Sequence, residues 1–303
     1  MNKKYKLDTN DTIIKGEKTL YRIIANKSFG DVKAGDKGGY LESEENLSQY
    51  ETAWISGDAQ VFGCAKVYDN AWVSGNACVF GNAKVYGNTK VLDNARVLDN
   101  AKVFGNADIS GKALVNECAH VFGNAKVCGN TKVYGNAKIF EDTWVVGNAE
   151  VCDDALIHGN AEVYDNARVY GNARIFGKAL VYGNARVSGS AEVYRNAQVY
   201  GDSHIYGDAK VFGEAKIFGN AEIFKNATIS RDQDYFYVGS FGSCGRTTTF
   251  FKEKYGWRIK CGCFSGTIEE FRQRVKETHG DSLIAQEYML IADLMEKRTL
   301  RVP

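Results

Sequence analysis

A mainly β solenoid of about ten three-sided coils, followed by a small α+β module, is the fold that this sequence predicts. Three observations predict it. Between Ala53 and Asp232 the chain repeats one six-residue word, A-x-[VI]-[aromatic]-G-N, in a single unbroken frame, as in Ala83-Lys84-Val85-Tyr86-Gly87-Asn88. The segment holds 180 residues, hence 30 hexads, and every third position is Val or Ile, from Ile55 to Ile229. The first position is Ala except at Thr89, Thr131, Thr143 and Ser203. So strict a period means that each coil stacks on the next and none folds alone. It also leaves few positions free to form a catalytic site.

Alternation sets the direction of each side chain. If Val85 points inward, so does Ala83, while Lys84 and Tyr86 point out. β-Branched Val and Ile suit a buried, extended position. The Gly-Asn pair then turns the corner, since Gly tolerates positive φ freely and Asn visits the left-handed region more readily than most. Three strands make the smallest closed prism, so 18 residues should form one coil. Stacked about 4.8 Å apart, the coils should extend roughly 48 Å.

The ends depart from the word. Residues 1–52 read as an N-terminal β-cap, with strands over 18–25 and 39–42, because open solenoid edges invite polymerisation. Residues 233–303 read as a C-terminal α+β module, with strands over 234–240, 247–252 and 257–264. Thr267 and Glu270 have capping-box spacing, which predicts a helix from 268 to 279 that stops at Gly280. A second helix over 282–298 would place Leu283, Tyr288, Ile291, Leu294 and Met295 on one stripe.

Across 303 residues the formal net charge is +1, so no global field recruits nucleic acid or a membrane. Residues 1–15 carry lysines but no apolar run, so neither a signal peptide nor an anchor is expected. Eight cysteines without such a signal fit reduced thiols in a cytoplasmic protein. The one proline is Pro303, as expected where nearly every backbone N–H joins a ladder.

The hexad resembles that of the left-handed β-helix in hexapeptide-repeat acyltransferases, which also places a small residue two positions before an inward aliphatic. Here Phe or Tyr usually follows the aliphatic, where that motif has a small or acidic residue. With Tyr40-Leu41-Glu42-Ser43 upstream and Cys261-Gly262-Cys263-Phe264 downstream, the aromatic version more closely resembles the YdcK-like branch, whose members are often described as acetyltransferases on fold alone. The resemblance spans nearly the whole chain and implies a left-handed solenoid. For activity it is an analogy of fold.

Residues 18 apart share an outer face, and the three faces differ. One carries Tyr68, Tyr86, Phe104, Phe122 and Phe140, flanked by Lys84 and Lys102. Stacked rings under lysine stems are one reading of this face, and an interface is the other. The related acyltransferases are trimers, so the resemblance implies a homo-oligomer, a trimer before a dimer. A stripe that tracks single-stranded nucleic acid is disfavoured by the balanced charge. The second face has small residues at Ser56, Ser74 and Ser110 beside Trp54 and Trp72. That half is expected to lie under the N-terminal segment or a neighbouring subunit.

Candidate chemistry is sparse. The related acyltransferases use a histidine base and loops that project from the coils, and here the frame never breaks. His120 and His158 are the candidate catalytic bases, with His204 behind them. They share no predicted contact. Cys244, Cys261, Cys263 and His279 could form a Cys₃His zinc set, but C-x-C on a strand departs from the usual C-x₂₋₄-C knuckle and favours plain core cysteines. A Cys263/His279 nucleophilic pair is the remaining combination. The expected function is a rigid, oligomerising scaffold that binds a protein or small-molecule partner without a cofactor. The alternative is an acyl-CoA-dependent transferase working at a subunit-interface cleft.

Overall fold

The computed structural model describes residues 3–242 and 245–299. Two compact units divide the chain, Met1–Asn166 and Ala167–Pro303.

The first unit opens with a hairpin. β1 (Tyr5–Lys15) pairs antiparallel with β2 (Lys18–Ala25) around Gly16, whose φ is 61°. β1 is mostly exposed and polar, so it lacks the alternation that would have announced it. β3 (Lys37–Leu41) pairs antiparallel with β2 on one edge and parallel with the coils on the other, placing Tyr40 beside Gln60 and Leu41 beside Val61. Gly39 is required at this junction, because a Cβ there would lie 2.5 Å from the Ala59 carbonyl oxygen. Leu47 then bridges to Val67. Residues before Ala53 thus add one turn to those the hexads supply, without using the hexad word.

In the hexads, two-residue strands pair parallel with those 18 residues away, as Lys84-Val85 does with Lys66-Val67 and with Lys102-Val103. Three strands therefore make one coil. The inward positions are shut off from solvent, Ala83, Val85, Ala101 and Val103 all being 0 % exposed. Each buried Val contributes roughly 1.5–3 kcal/mol relative to exposure. Where Thr replaces Ala, its hydroxyl is satisfied at the corner: Thr89 Oγ1 donates to the Tyr86 carbonyl at 2.6 Å, and Thr143 to that of Phe140 at 3.0 Å.

The corner differs from expectation in one respect. Positive φ belongs to the fifth position alone, at Gly87 (77°), Gly105 (78°) and their acidic replacements Asp69 (59°) and Asp93 (60°). The sixth-position Asn stays out of the left-handed region and works sideways instead. Asn70, Asn88, Asn106 and Asn124 form an amide ladder that ends on Asp142, each donating to the next at 2.8–3.1 Å.

The N-terminal segment covers the start of the serine-lined face. Trp54 is 2 % exposed beneath the edges of Tyr5 and Phe29. Beside it, Arg22 reaches over to the Gly57 carbonyl at 2.9 Å. Lys4 is buried too, its ammonium bonded to the carbonyls of Tyr50 and Ala53 at 3.1 and 2.9 Å.

The second unit contains hexads of the same kind, followed by four antiparallel strands: Tyr235–Phe241, Arg246–Glu253, Gly256–Cys261 and Phe264–Gly266. The strand expected over 257–264 is broken at Gly262, whose φ of 57° turns the chain between the two cysteines. Helix α1 (Ile268–His279) begins at a reciprocal Thr267/Glu270 box and ends at Gly280.

Helix α2 (Leu283–Thr299) buries Ala285, Tyr288, Ala292 and Met295. The expected stripe was wrong at two positions, since Leu283 and Leu294 face solvent. The alanines decide this, because they let α2 approach a core built on Phe250, Ile259, Phe271 and Val275. The module sits on its unit's last coil. Phe251 meets Phe224 edge-on at 5.2 Å, and the Glu222 N–H donates to Thr249 Oγ1 at 3.1 Å. An otherwise open edge is thereby partly closed. No described helix is long and apolar enough to cross a membrane.

Candidate ligand cleft and the faces of the coils

A concavity lies in the C-terminal module, between the Cys261-Gly262-Cys263 turn, α1 and α2. Lys260 holds that turn, its ammonium donating to the Gly262 carbonyl at 2.6 Å. Phe271, Arg274, Val275, Thr278 and His279 reach the cleft from α1 because they recur every three or four residues along one side. Tyr288 closes it from α2, lying edge-on to Phe271 at 5.7 Å and stacked near His279 at 5.6 Å. Phe264 completes an apolar wall, 5.5 Å from Phe271. The cavity measures about 340 Å³, at the small end of pockets that enclose organic ligands.

Its polarity is one-sided. Among the described residues no carboxylate lines it, whereas Arg274 does. Arg274 has no ion-pair partner within 4.0 Å among the described residues, although Glu269, Glu270 and Glu277 line an adjoining groove that shares Cys263, Phe264 and Arg274 with the cleft.

The candidate zinc ligands are brought only partly together. Cys261, Cys263 and His279 line the same cleft, and Cys244 lies outside the described residues. Among the described residues no three such groups converge on a point that could hold a metal ion. The break at Gly262 is the reason: Cys263 is exposed beyond the turn, while Cys261 remains half-buried on its strand.

The histidine candidates are separated. His120 sits in its ladder between Lys102 and Lys138, and its pKa is lowered by burial and then by those two ammonium groups. His158 stacks on Phe140 at 5.0 Å, with Nδ1 3.7 Å from Glu141. His204, the least favoured from sequence, makes a contact that resembles a nucleophile and its base: Nε2 lies 3.1 Å from Ser188 Oγ. Ser188 is only 6 % exposed, and its N–H is committed to the Ile205 carbonyl, so its own backbone offers no oxyanion donor.

The aromatic face is a continuous stack. Tyr68, Tyr86, Phe104, Phe122 and Phe140 lie 4.7–5.0 Å apart with ring planes within 4°. Such rings shield each other and the hydrogen bonds beneath them. Lys102 is half-buried beside the stack, and Lys84 is exposed.

Residues 161–177, 167–182 and 179–195 match the family described as the YdcK beta solenoid repeat. The hexads between residues 161 and 195 are YdcK-type repeats. No curated protein matches the chain. The matched windows fall within the hexad region, so they speak to the coils and not to the cleft. Sequence reasoning missed Arg274, Thr278 and Phe271 as lining residues. Their one signal was a cation set between apolar Phe271 and Val275 on the helix surface, which is common on helices that line nothing.

Proposed function

We propose that the protein is a non-catalytic binding scaffold whose C-terminal cleft takes a small organic anion. The observation that carries this reading is Arg274: among the described residues this guanidinium has no intrachain ion-pair partner, and no carboxylate lines the apolar cleft on which it lies. A carboxylate or phosphate would pair with Arg274 in a planar, two-pronged contact. The apolar body of the ligand would lie against Phe264, Phe271 and Val275. The unbroken hexad frame supports a scaffold over an acyl-CoA-dependent transferase, since no loop leaves the coils to bind acceptor and cofactor.

The test is a thermal-shift and calorimetry screen with small aromatic carboxylates, organic phosphates, CoA and acetyl-CoA. The expected result is stabilisation by a small anion that disappears in Arg274→Gln and is retained in Lys84→Gln. Saturable binding of acetyl-CoA with turnover would overturn the reading in favour of the transferase. Binding of no anion would overturn it outright.

A further inference from the structure

We propose that α2 pairs antiparallel with α2 of a second copy of this chain, through the face that it turns away from its own core. This goes beyond the binding reading and does not depend on it. Leu283, Leu290 and Leu294 are 76, 70 and 49 % exposed, an apolar strip of the kind that single surface leucines do not form. The buried side of the same helix, Ala285, Tyr288, Ala292 and Met295, is fully used by the module core.

Positions 283, 287, 290, 294 and 297 follow each other at spacings of four and three, and so lie on one stripe. That stripe reads Leu, Glu, Leu, Leu, Lys. The order matters. In an antiparallel pair with its two-fold axis beside Ala292, Leu290 meets Leu294 of the partner subunit, and Glu287 meets Lys297 of the partner subunit. The axis makes each contact twice, giving two leucine layers flanked by two ion pairs. A parallel pair would oppose Glu287 to its own copy and Lys297 to its own copy, so charge selects the antiparallel arrangement.

Both charges are available. Glu287 and Lys297 are exposed, and among the described residues neither forms an ion pair within the chain. The neighbouring carboxylates are already engaged, Asp293 and Glu296 with Arg272 at 2.7 and 2.8 Å. Tyr288, which lines the cleft, is on the far side of α2, so the pairing leaves the cleft open. A two-fold contact of this kind closes with two copies.

Sedimentation velocity and light scattering on the full chain, in reductant, test this. The expected result is a dimer at tens of micromolar that becomes monomeric in the Leu290→Lys/Leu294→Lys double variant, with unchanged circular dichroism. Glu287→Lys and Lys297→Glu should each weaken the dimer about tenfold, and combining them should restore it, because the charges are then exchanged across the axis. A monomeric wild type at several hundred micromolar would overturn the proposal, as would a trimer mass or a dimer indifferent to the leucine changes. Failure of the charge exchange to restore affinity would overturn the antiparallel register. Arg274→Gln should leave the dimer intact, so failure of the ligand reading and failure of this one are told apart.

Discussion

The carboxylate of Asp69 accepts the backbone N–H of Gly87, one coil further on, at 3.0 Å. The same contact recurs from Asp93 to Gly111, from Glu117 to Gly135 and from Glu141 to Gly159, at 2.6–2.9 Å. All four acidic residues occupy the fifth hexad position with φ between 56° and 63°, where a side chain is strained. A carboxylate that reaches the next coil offsets that strain, so the acids that interrupt the Gly column are placed by a mechanism and are not casual substitutions.

Replacing Asp93 separates strain from bonding. Asp93→Ala keeps the positive φ and loses the acceptor, and should cost about 1–2 kcal/mol. Asp93→Gly loses the bond but relieves the strain, and should fall within about 0.5 kcal/mol of wild type. Gly87→Ala should be worse than either, because its Cβ would stand 2.7 Å from the Gly105 carbonyl oxygen. Urea melts of the three variants rank them.

Val133 is 0 % exposed inside the first unit. Val133→Asp should therefore abolish folding or cost several kcal/mol, by burying a carboxylate without a partner. Expression and melting of the variant check this, and a soluble protein with wild-type melting would contradict the inward assignment.

Stability should rise from about pH 8 to pH 10 and then fall. Burial lowers the Lys4 pKa from 10.5 to about 8, so across this window the unfolded chain holds a proton that the folded chain releases. The gain is on the order of 2–3 kcal/mol, present above the unfolded value and lost as pH falls through the folded one. Burial acts in the opposite sense on Tyr5, Tyr206 and Tyr235, raising all three phenols, that of Tyr206 to about 12. Their contribution is complete below pH 10 and is lost as pH climbs through the raised values. Urea melts at stepped pH measure the profile, and Lys4→Met should remove its rising limb alone.

A chain that ends at Asp232 should aggregate. It would uncover Phe224, now 7 % exposed beneath Phe251, and free the edge to which Thr249 is bonded. Light scattering of the truncated and intact chains compares them.

The coils were legible because burial selects Ala and Val at fixed intervals and nothing else competes for those positions. The turn before Ala53 was not, because Tyr40, Leu41 and Leu47 occupy equivalent places without the Gly-Asn corner that marks the others. Asn70 and its successors were read as corner residues from their intrinsic preference, whereas stacking offers their amides a better partner one coil away. For α2 the burial of Tyr288 and Met295 was legible, whereas Leu283 and Leu294 were misplaced. Leucines look buried in a sequence, but Ala285 and Ala292 allow the closer approach. The cleft is assembled from a turn and two helices, and its guanidinium carries no local pattern to announce it.

The near-identity of successive hexads has a cost during folding. Sliding one strand by a whole coil keeps Val over Val and Ala over Ala, so the repeat barely distinguishes correct register from a slipped one. The marks that do distinguish it are irregular: the Asp69 and Glu117 bonds, the Thr89 corner, and above all Trp54 seated under Tyr5 and Phe29. The β1–β2 hairpin thus acts as a template on which the first coil is indexed, and the later coils of the first unit inherit its alignment. Growth from that end, in the order of synthesis, is the route on which errors do not accumulate, and refolding from denaturant should be the slower and more heterogeneous path.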